Sequence, residues 1–187
     1  MPQPSHEGYV GYTIAQIANS TSPQLQKTLS LRPNVVLLHA GTNDLSSSNT
    51  SLDATAPQRL GQLMDMILSA VPDTTLLVAQ IIQLENGNQA RVDAYNSKIP
   101  GVVQQRVAAG MKVLAVNMTT IGANGMNQSY DQSGAHNNDP CRSSKGVNTG
   151  DLAEGVHPND CGFQKMANAW YEAMEIASNQ TWITPPS

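Results

Sequence analysis

Apolar residues follow two alternating rhythms along the chain. Val35–His39 is a short run, almost wholly apolar, that passes within two residues into the polar turn Gly41-Thr42-Asn43-Asp44. Thr75–Ile82 is a second near-continuous run, and Lys112–Met118 a third. Runs of this length and β-branched content predict strands buried on both faces of a parallel sheet. Between them the spacing changes to that of helices. Over Asp53–Ala70, the residues Leu60, Leu63, Met64, Ile67 and Leu68 make a core-facing stripe. Over Arg91–Ala109 the stripe is Val92, Tyr95, Ile99, Val103 and Val107, with Pro100 requiring a kink or a fresh start and Gly110 as the stop. Gly162–Ser178 predicts a final helix with Phe163, Met166, Ala167, Trp170, Met174 and Ala177 inward. Ahead of the first strand, Thr13 is placed to cap a helix from Ile14, and Leu25, Leu29 and Leu31 extend its apolar side to Arg32-Pro33.

Strand and helix alternate, which predicts an α/β fold with a parallel sheet. With no internal repeat or linker, residues 1–187 read as a single domain. Three strands are few for such a sheet, and the outer ones carry apolar faces that need cover. Ligand sites in open α/β sheets lie at the carboxyl ends of the strands, which draws attention to the turn at Asn43.

Composition narrows the function classes. A net charge of −4 with no basic cluster argues against a nucleic-acid partner, and no apolar stretch is long enough to span a membrane. Asn-x-Ser/Thr sequons at Asn19, Asn49, Asn117, Asn127 and Asn179, together with two cysteines, predict a secreted glycoprotein, although no signal peptide is present in the chain as given. Cys141 and Cys161 flank a polar loop and predict a disulfide, the alternative being two unrelated buried thiols. The Asn/Asp-rich stretch from Asn124 to Asp139 has oxygen ligands but no EF-hand spacing; it reads as a glycosylated or solvated loop, and no metal is expected.

Four histidines are available: His6, His39, His136 and His157. His39, in an apolar run, reads as a core or supporting residue. His157 follows Glu154 by three positions with Gly155 between them. A carboxylate at that spacing can hold the ring Nδ1–H and leave Nε2 as a general base. The alternative is a surface histidine beside an Asp160 that only caps the last helix. Taken with an exposed backbone turn at Gly11 and the Asn43 amide, the pair makes parts of an acyl-transfer site, with Gly11 and Asn43 as oxyanion donors.

Three blocks carry a resemblance. Glu7-Gly8-Tyr9-Val10-Gly11-Tyr12-Thr13-Ile14 is similar to the second block of SGNH (GDSL-type) hydrolases, EGxxGxTI. Gly41-Thr42-Asn43-Asp44 resembles the third block, GxND, and Glu154-Gly155-Val156-His157-Pro158-Asn159 the last, DGVHPN. Within that superfamily the chain looks most like carbohydrate esterase family 3, which includes acetyl xylan esterases. The resemblance implies a three-layer α/β/α, flavodoxin-like fold from which the first strands are missing, so that the domain is N-terminally incomplete. It also implies cofactor-free hydrolysis of acetylated carbohydrates or other small esters.

Two positions depart from the pattern. The family's nucleophilic serine lies in a Gly-Asp-Ser block, and the chain contains neither that block nor Gly-x-Ser-x-Gly, so the nucleophile is unknown. The usual aspartate is Glu154, with Asp151 as a possible substitute acid. The missing serine keeps two other readings open: an inactive SGNH-like protein that binds glycans or a partner, and a chain completed by another polypeptide. Losing the first strands would also leave an edge along Val35–Leu38 through which the chain is expected to self-associate.

Overall fold

In a computed structural model of the protein, residues 6–19, 23–85, 88–122 and 151–183 are described. The stretch Asn124–Asp139, with His136 and the sequon at Asn127, and also Cys141, lie outside them. Three parallel strands, β1 (Val35–Leu38), β2 (Thr75–Ala79) and β3 (Val113–Val116), form one sheet in the order β1-β2-β3. Val35 pairs with Thr75, and Leu76 with Val113. The strand lying between the other two is buried along its whole length, as its continuous apolar run requires.

Helices α1 (Ile14–Ala18), α2 (Pro23–Ser30), α3 (Thr42–Ser46), α4 (Ser51–Ala70), α5 (Gln89–Asn96) and α6 (Ile99–Ala108) precede β3, and α7 (Asp160–Asn179) closes the described chain. All five residues of the α4 stripe are buried. They join Val36 and Leu38 of β1, Leu76 and Val78 of β2, and Val92, Tyr95, Ile99 and Val103 in one core. On the other face Leu77, Ala79 and Val116 pack against Ala173 and Ala177 of α7. Helices thus cover both faces of the sheet.

The structure corrects several sequence expectations and decides one that was open. The segment from Ile14 to Ser30 is two helices, because α1 ends at Asn19 in an extended conformation. Of the two alternatives at Pro100, a kink or a fresh start, the second holds: Pro100 sits in the first turn of α6, where its missing N–H leaves no bond unmade. The turn after β1 contains a short helix, α3. Finally, Phe163 is 57% exposed and Ala167 is exposed. The packed stripe of α7 runs instead through Met166, Ala169, Trp170, Ala173 and Ala177. At about 100° per residue, Phe163 and Ala167 fall on one flank of that stripe, which a sheet of three strands leaves uncovered. Leu31, past the end of α2, is exposed as well.

The first strand lies at one end of the sheet, with no strand on its outer side among the described residues. Leu37 is 45% exposed there.

Candidate active site

The Asn43 half of the site is built by charge and hydrogen bonds around α3. Gly41 has φ +131°, and a Cβ there would come within 2.9 Å of the Tyr95 ring. Both facts require glycine at that position. The Tyr95 hydroxyl donates to Ala40 O at 2.9 Å, so α5 fixes the end of β1 just before the turn. Burial pushes the Tyr95 phenol far above its ordinary pKa, so it remains a donor. Asp44 is fully buried. Its Oδ1 accepts from Arg59 of α4 at 2.6 Å, and its Oδ2 accepts the Ile14 N–H at 2.8 Å. Arg91, held by Asp53 at 2.5 Å, donates to Ser47 O at 2.8 Å and closes the far end of α3.

This scaffold brings the Gly11 turn to Asn43. Gly11 has φ +75° and sits in a turn closed by Tyr12 N–H donating to Tyr9 O at 3.3 Å. Asn43 Nδ2 donates one of its two hydrogens to Tyr12 O at 2.9 Å. Thr13 and Gln16 then cap α1 reciprocally. Gly11 and Asn43, separated by thirty-two positions, become neighbours in space because Asp44 and Asn43 both reach back to the same segment.

The His157 half is a tight loop. Ala153 N–H donates to His157 O at 2.8 Å, and Asn159 N–H to Asp151 O at 2.9 Å. Within it His157 Nδ1 bonds to Glu154 Oε1, as the three-residue spacing predicts, and His157 N–H reaches the same oxygen at 3.2 Å. The His157 ring holds the Glu154 carboxyl below the usual carboxylate range. A glutamate held ionised in this way fixes Nδ1 as the donor and leaves Nε2 as a base. Both side chains are exposed.

Asp151 is placed elsewhere. It is fully buried, its Oδ1 pairs with Lys165 at 2.6 Å, and its Oδ2 accepts the Gly122 N–H at 3.0 Å. It anchors the base of the loop to α7 and does not pair with His157. The α7 cap is Asn159, which accepts from Gly162 N–H at 3.0 Å, and not Asp160.

The two halves lie at the same end of the sheet. Asn43 follows the carboxyl end of β1, while Glu85, in the loop beyond β2, donates its N–H to Gly155 O at 2.8 Å. That loop therefore carries the Glu154–His157 pair to the carboxyl ends of the strands. The Asn43 amide beside the Gly11 turn and the Glu154-held His157 ring thus lie at the same end of the sheet. Sequence reasoning missed Asp44, Arg59 and Tyr95 as residues holding the site. Asp44 adjoins Asn43, but nothing local points to a partner thirty residues away. His39, just after β1, has a buried Nε2 with no partner, and burial lowers its pKa to about 4.

Among the described residues no cluster of three or more His, Cys, Asp or Glu could hold a metal ion, and no helix is long and apolar enough to cross a membrane.

Residues 3–165 match the sequence profile of the GDSL-like lipase/acylhydrolase family. A protein of Acetivibrio thermocellus provisionally named endoglucanase X is 32% identical over 160 residues, covering 86% of this chain and 57% of that protein. A multidomain esterase of Ruminococcus flavefaciens is 28% identical over 205 residues, covering 98% of this chain and 23% of the esterase. The chain therefore spans just over half of one relative's length and under a quarter of the other's. A solved Clostridium thermocellum family 3 carbohydrate esterase superposes with a TM-score of 0.62 at 29% identity, covering 96% of this chain and 73% of that one.

Proposed function

Because the chain belongs to the GDSL-like lipase/acylhydrolase family, we propose that it carries the oxyanion and base components of an esterase that deacetylates carbohydrates. The observation that supports this most is the His157 Nδ1–Glu154 bond at the same end of the sheet as Asn43. In this reading a serine hydroxyl attacks the acetyl carbonyl and gives its proton to His157 Nε2. Gly11 N–H and the free Asn43 N–H hold the oxyanion, each such donor contributing roughly 3–4 kcal/mol to the transition state. As the ester C–O bond breaks, His157 gives that proton to the departing sugar oxygen, which leaves as a hydroxyl, and water then releases acetate from the acyl-serine. No metal or cofactor takes part.

The 187 residues contain no Gly-Asp-Ser, so the serine is the missing component. The replacement of the usual aspartate by Glu154 leaves a second reading, an SGNH-like protein that binds glycans or a partner without hydrolysis. One experiment separates the two. The chain and its His157→Ala variant are assayed with 4-nitrophenyl acetate and treated with a fluorophosphonate, followed by peptide mapping. A labelled serine and a rate reduced at least about 10³-fold by the substitution would support the esterase. Equal rates and no labelled serine would leave binding as the function of this chain alone.

The open edge of β1 is proposed to drive self-association, since unpaired strand edges with exposed apolar side chains template pairing. Sedimentation of the parent chain is expected to show oligomers, and Leu37→Lys to shift them to monomer. A monomeric parent would overturn the idea.

We further propose a secreted form with a Cys141–Cys161 disulfide and N-linked glycans at Asn49 and Asn117. At both sequons the asparagine Oδ1 accepts from the hydroxyl two residues on, at 2.6 Å from Ser51 and 2.8 Å from Thr119, leaving an exposed amide nitrogen. Intact mass of the protein secreted from a yeast host checks both points. The expectation is no free thiol and two glycans, removed singly by Asn49→Gln and Asn117→Gln. Two free thiols, or an unmodified mass, would refute the corresponding part.

A further inference from the structure

The turn that presents Gly11 has an unusual surface. Val10 at its tip is 97% exposed, and Tyr12 beside it is 42% exposed. Tyr9 and Tyr12 stack, with ring centroids 5.4 Å apart and planes inclined by 27°. One face of Tyr12 is thus taken by Tyr9, and the other is turned outward. Isolated exposed apolar side chains are ordinary on mobile loops, but this turn is fastened on every side. The Tyr9 hydroxyl donates to Glu7 Oε2 at 2.9 Å, and Thr28 of α2 bonds to the same carboxylate. Asn43 holds the Tyr12 carbonyl, and Asp44 holds Ile14. An apolar tip and an aromatic face are therefore held rigid within two residues of Gly11.

We propose that Tyr12 and Val10 form a sugar-binding platform next to the reacting ester. The outward face of Tyr12 stacks on the C–H face of a pyranose ring, and Val10 packs on the neighbouring sugar. This rests on the reading that the substrate is an acetylated carbohydrate, and extends it by naming what holds the sugar and not the acetyl group. Three features favour a neutral sugar. The platform carries no charge of its own, the nearby Glu7 carboxylate being tied to Tyr9 and Thr28. A tyrosine gives a broad amphipathic contact while freezing only two side-chain angles. The tethered backbone has little freedom left to lose on binding, so the contact energy is not spent on ordering a loop.

The test uses the chain as it is, without requiring hydrolysis. Native electrophoresis is run in gels containing acetylated xylan, the same xylan after alkaline deacetylation, or no polysaccharide. The parent is expected to be retarded by both xylans, because the platform reads the ring. Tyr12→Ala is expected to weaken binding about tenfold, in line with the loss of one aromatic contact. Tyr12→Phe keeps the ring and should keep binding, and Val10→Gly should weaken it by a smaller factor. Thermal melts of each variant confirm that the fold is retained. A parent that is not retarded by either xylan, or a folded Tyr12→Ala that binds as the parent does, would overturn the platform while leaving the esterase reading to its own assay. Retardation by acetylated xylan alone would also overturn it, since recognition would then reside in the acetyl group.

Discussion

Replacing Asp44 with alanine is expected to destabilise the protein by about 3–5 kcal/mol, the cost of leaving a buried partner charge unpaired. Asp44 has no exposed surface and the Arg59 side chain only 15%. With Asp44 gone, the Arg59 guanidinium loses its carboxylate at 2.6 Å, and the Ile14 N–H loses its acceptor at 2.8 Å. Since a domain of this size has total stability of only about 5–15 kcal/mol, Asp44→Ala approaches the threshold of folding. Urea unfolding of Asp44→Ala, Arg59→Met and the double variant measures the effect. The double variant is expected to lose less than the sum of the singles, because it removes both charges together. A variant within about 1 kcal/mol of the parent, well below the usual cost of breaking a buried pair, would show that the Asp44 carboxylate does not hold α4 and α1 to α3. If Asp44→Asn folds, the amide resonances of Gly11 and the Asn43 side chain should shift, because the turn has lost part of its tether.

The second large effect is on acid stability, through His39. Its pKa falls from 6.5 to about 4 because burial disfavours the imidazolium, and its buried Nε2 has no partner to offset that cost. A histidine whose pKa is depressed on folding binds its proton more readily in the unfolded chain. The stability it permits is complete above pH about 6.5 and is lost as the pH falls through about 4. The shift corresponds to about 3 kcal/mol across that window, at 1.36 kcal/mol per pKa unit. Urea midpoints measured between pH 7 and pH 4 should therefore fall more steeply for the parent than for His39→Leu, which has nothing to protonate there. Parallel curves for the two proteins would mean that the imidazole is hydrated in solution.

Much of this site is written in short-range pattern. Glu154 and His157 are three residues apart, and a tight loop brings them together whatever the rest of the fold does. Gly41–Asp44 follows an apolar run, so its place at a strand end is predictable from hydrophobic rhythm alone. The stripes of α4 and of α5–α6 were equally legible, because burial on one face of a helix imposes a 3.6-residue period. Substituting Glu154 for the usual aspartate did not break the pairing: the structure gives His157 to Glu154 and reserves Asp151 for Lys165. Spacing already favoured Glu154, three residues from His157, over Asp151, six away, and the structure buries Asp151 against Lys165.

The contacts that assemble the site are of another kind. Asp44 meets Ile14 across thirty positions, and Tyr95 meets Ala40 across fifty-five. Such pairs leave no periodic trace, since each is one polar side chain whose partner is fixed by how α1, α4 and α5 pack around β1. The same holds for α7, whose apolar stripe is broader than the sheet beneath it and so leaves Phe163 exposed. By itself the sequence determined the three strands, their alternation with helices, the parallel sheet, the edge along Val35–Leu38 and the local Glu154–His157 pair, because these follow from backbone propensity and hydrophobic period. Tertiary structure alone decided that Asn43 bonds to Tyr12 O beside the Gly11 turn, that Asp44 ties α1 and α4 to α3, and that Asp151 is an anchor, because long-range packing and the desolvation of charge choose among partners that local pattern leaves equivalent.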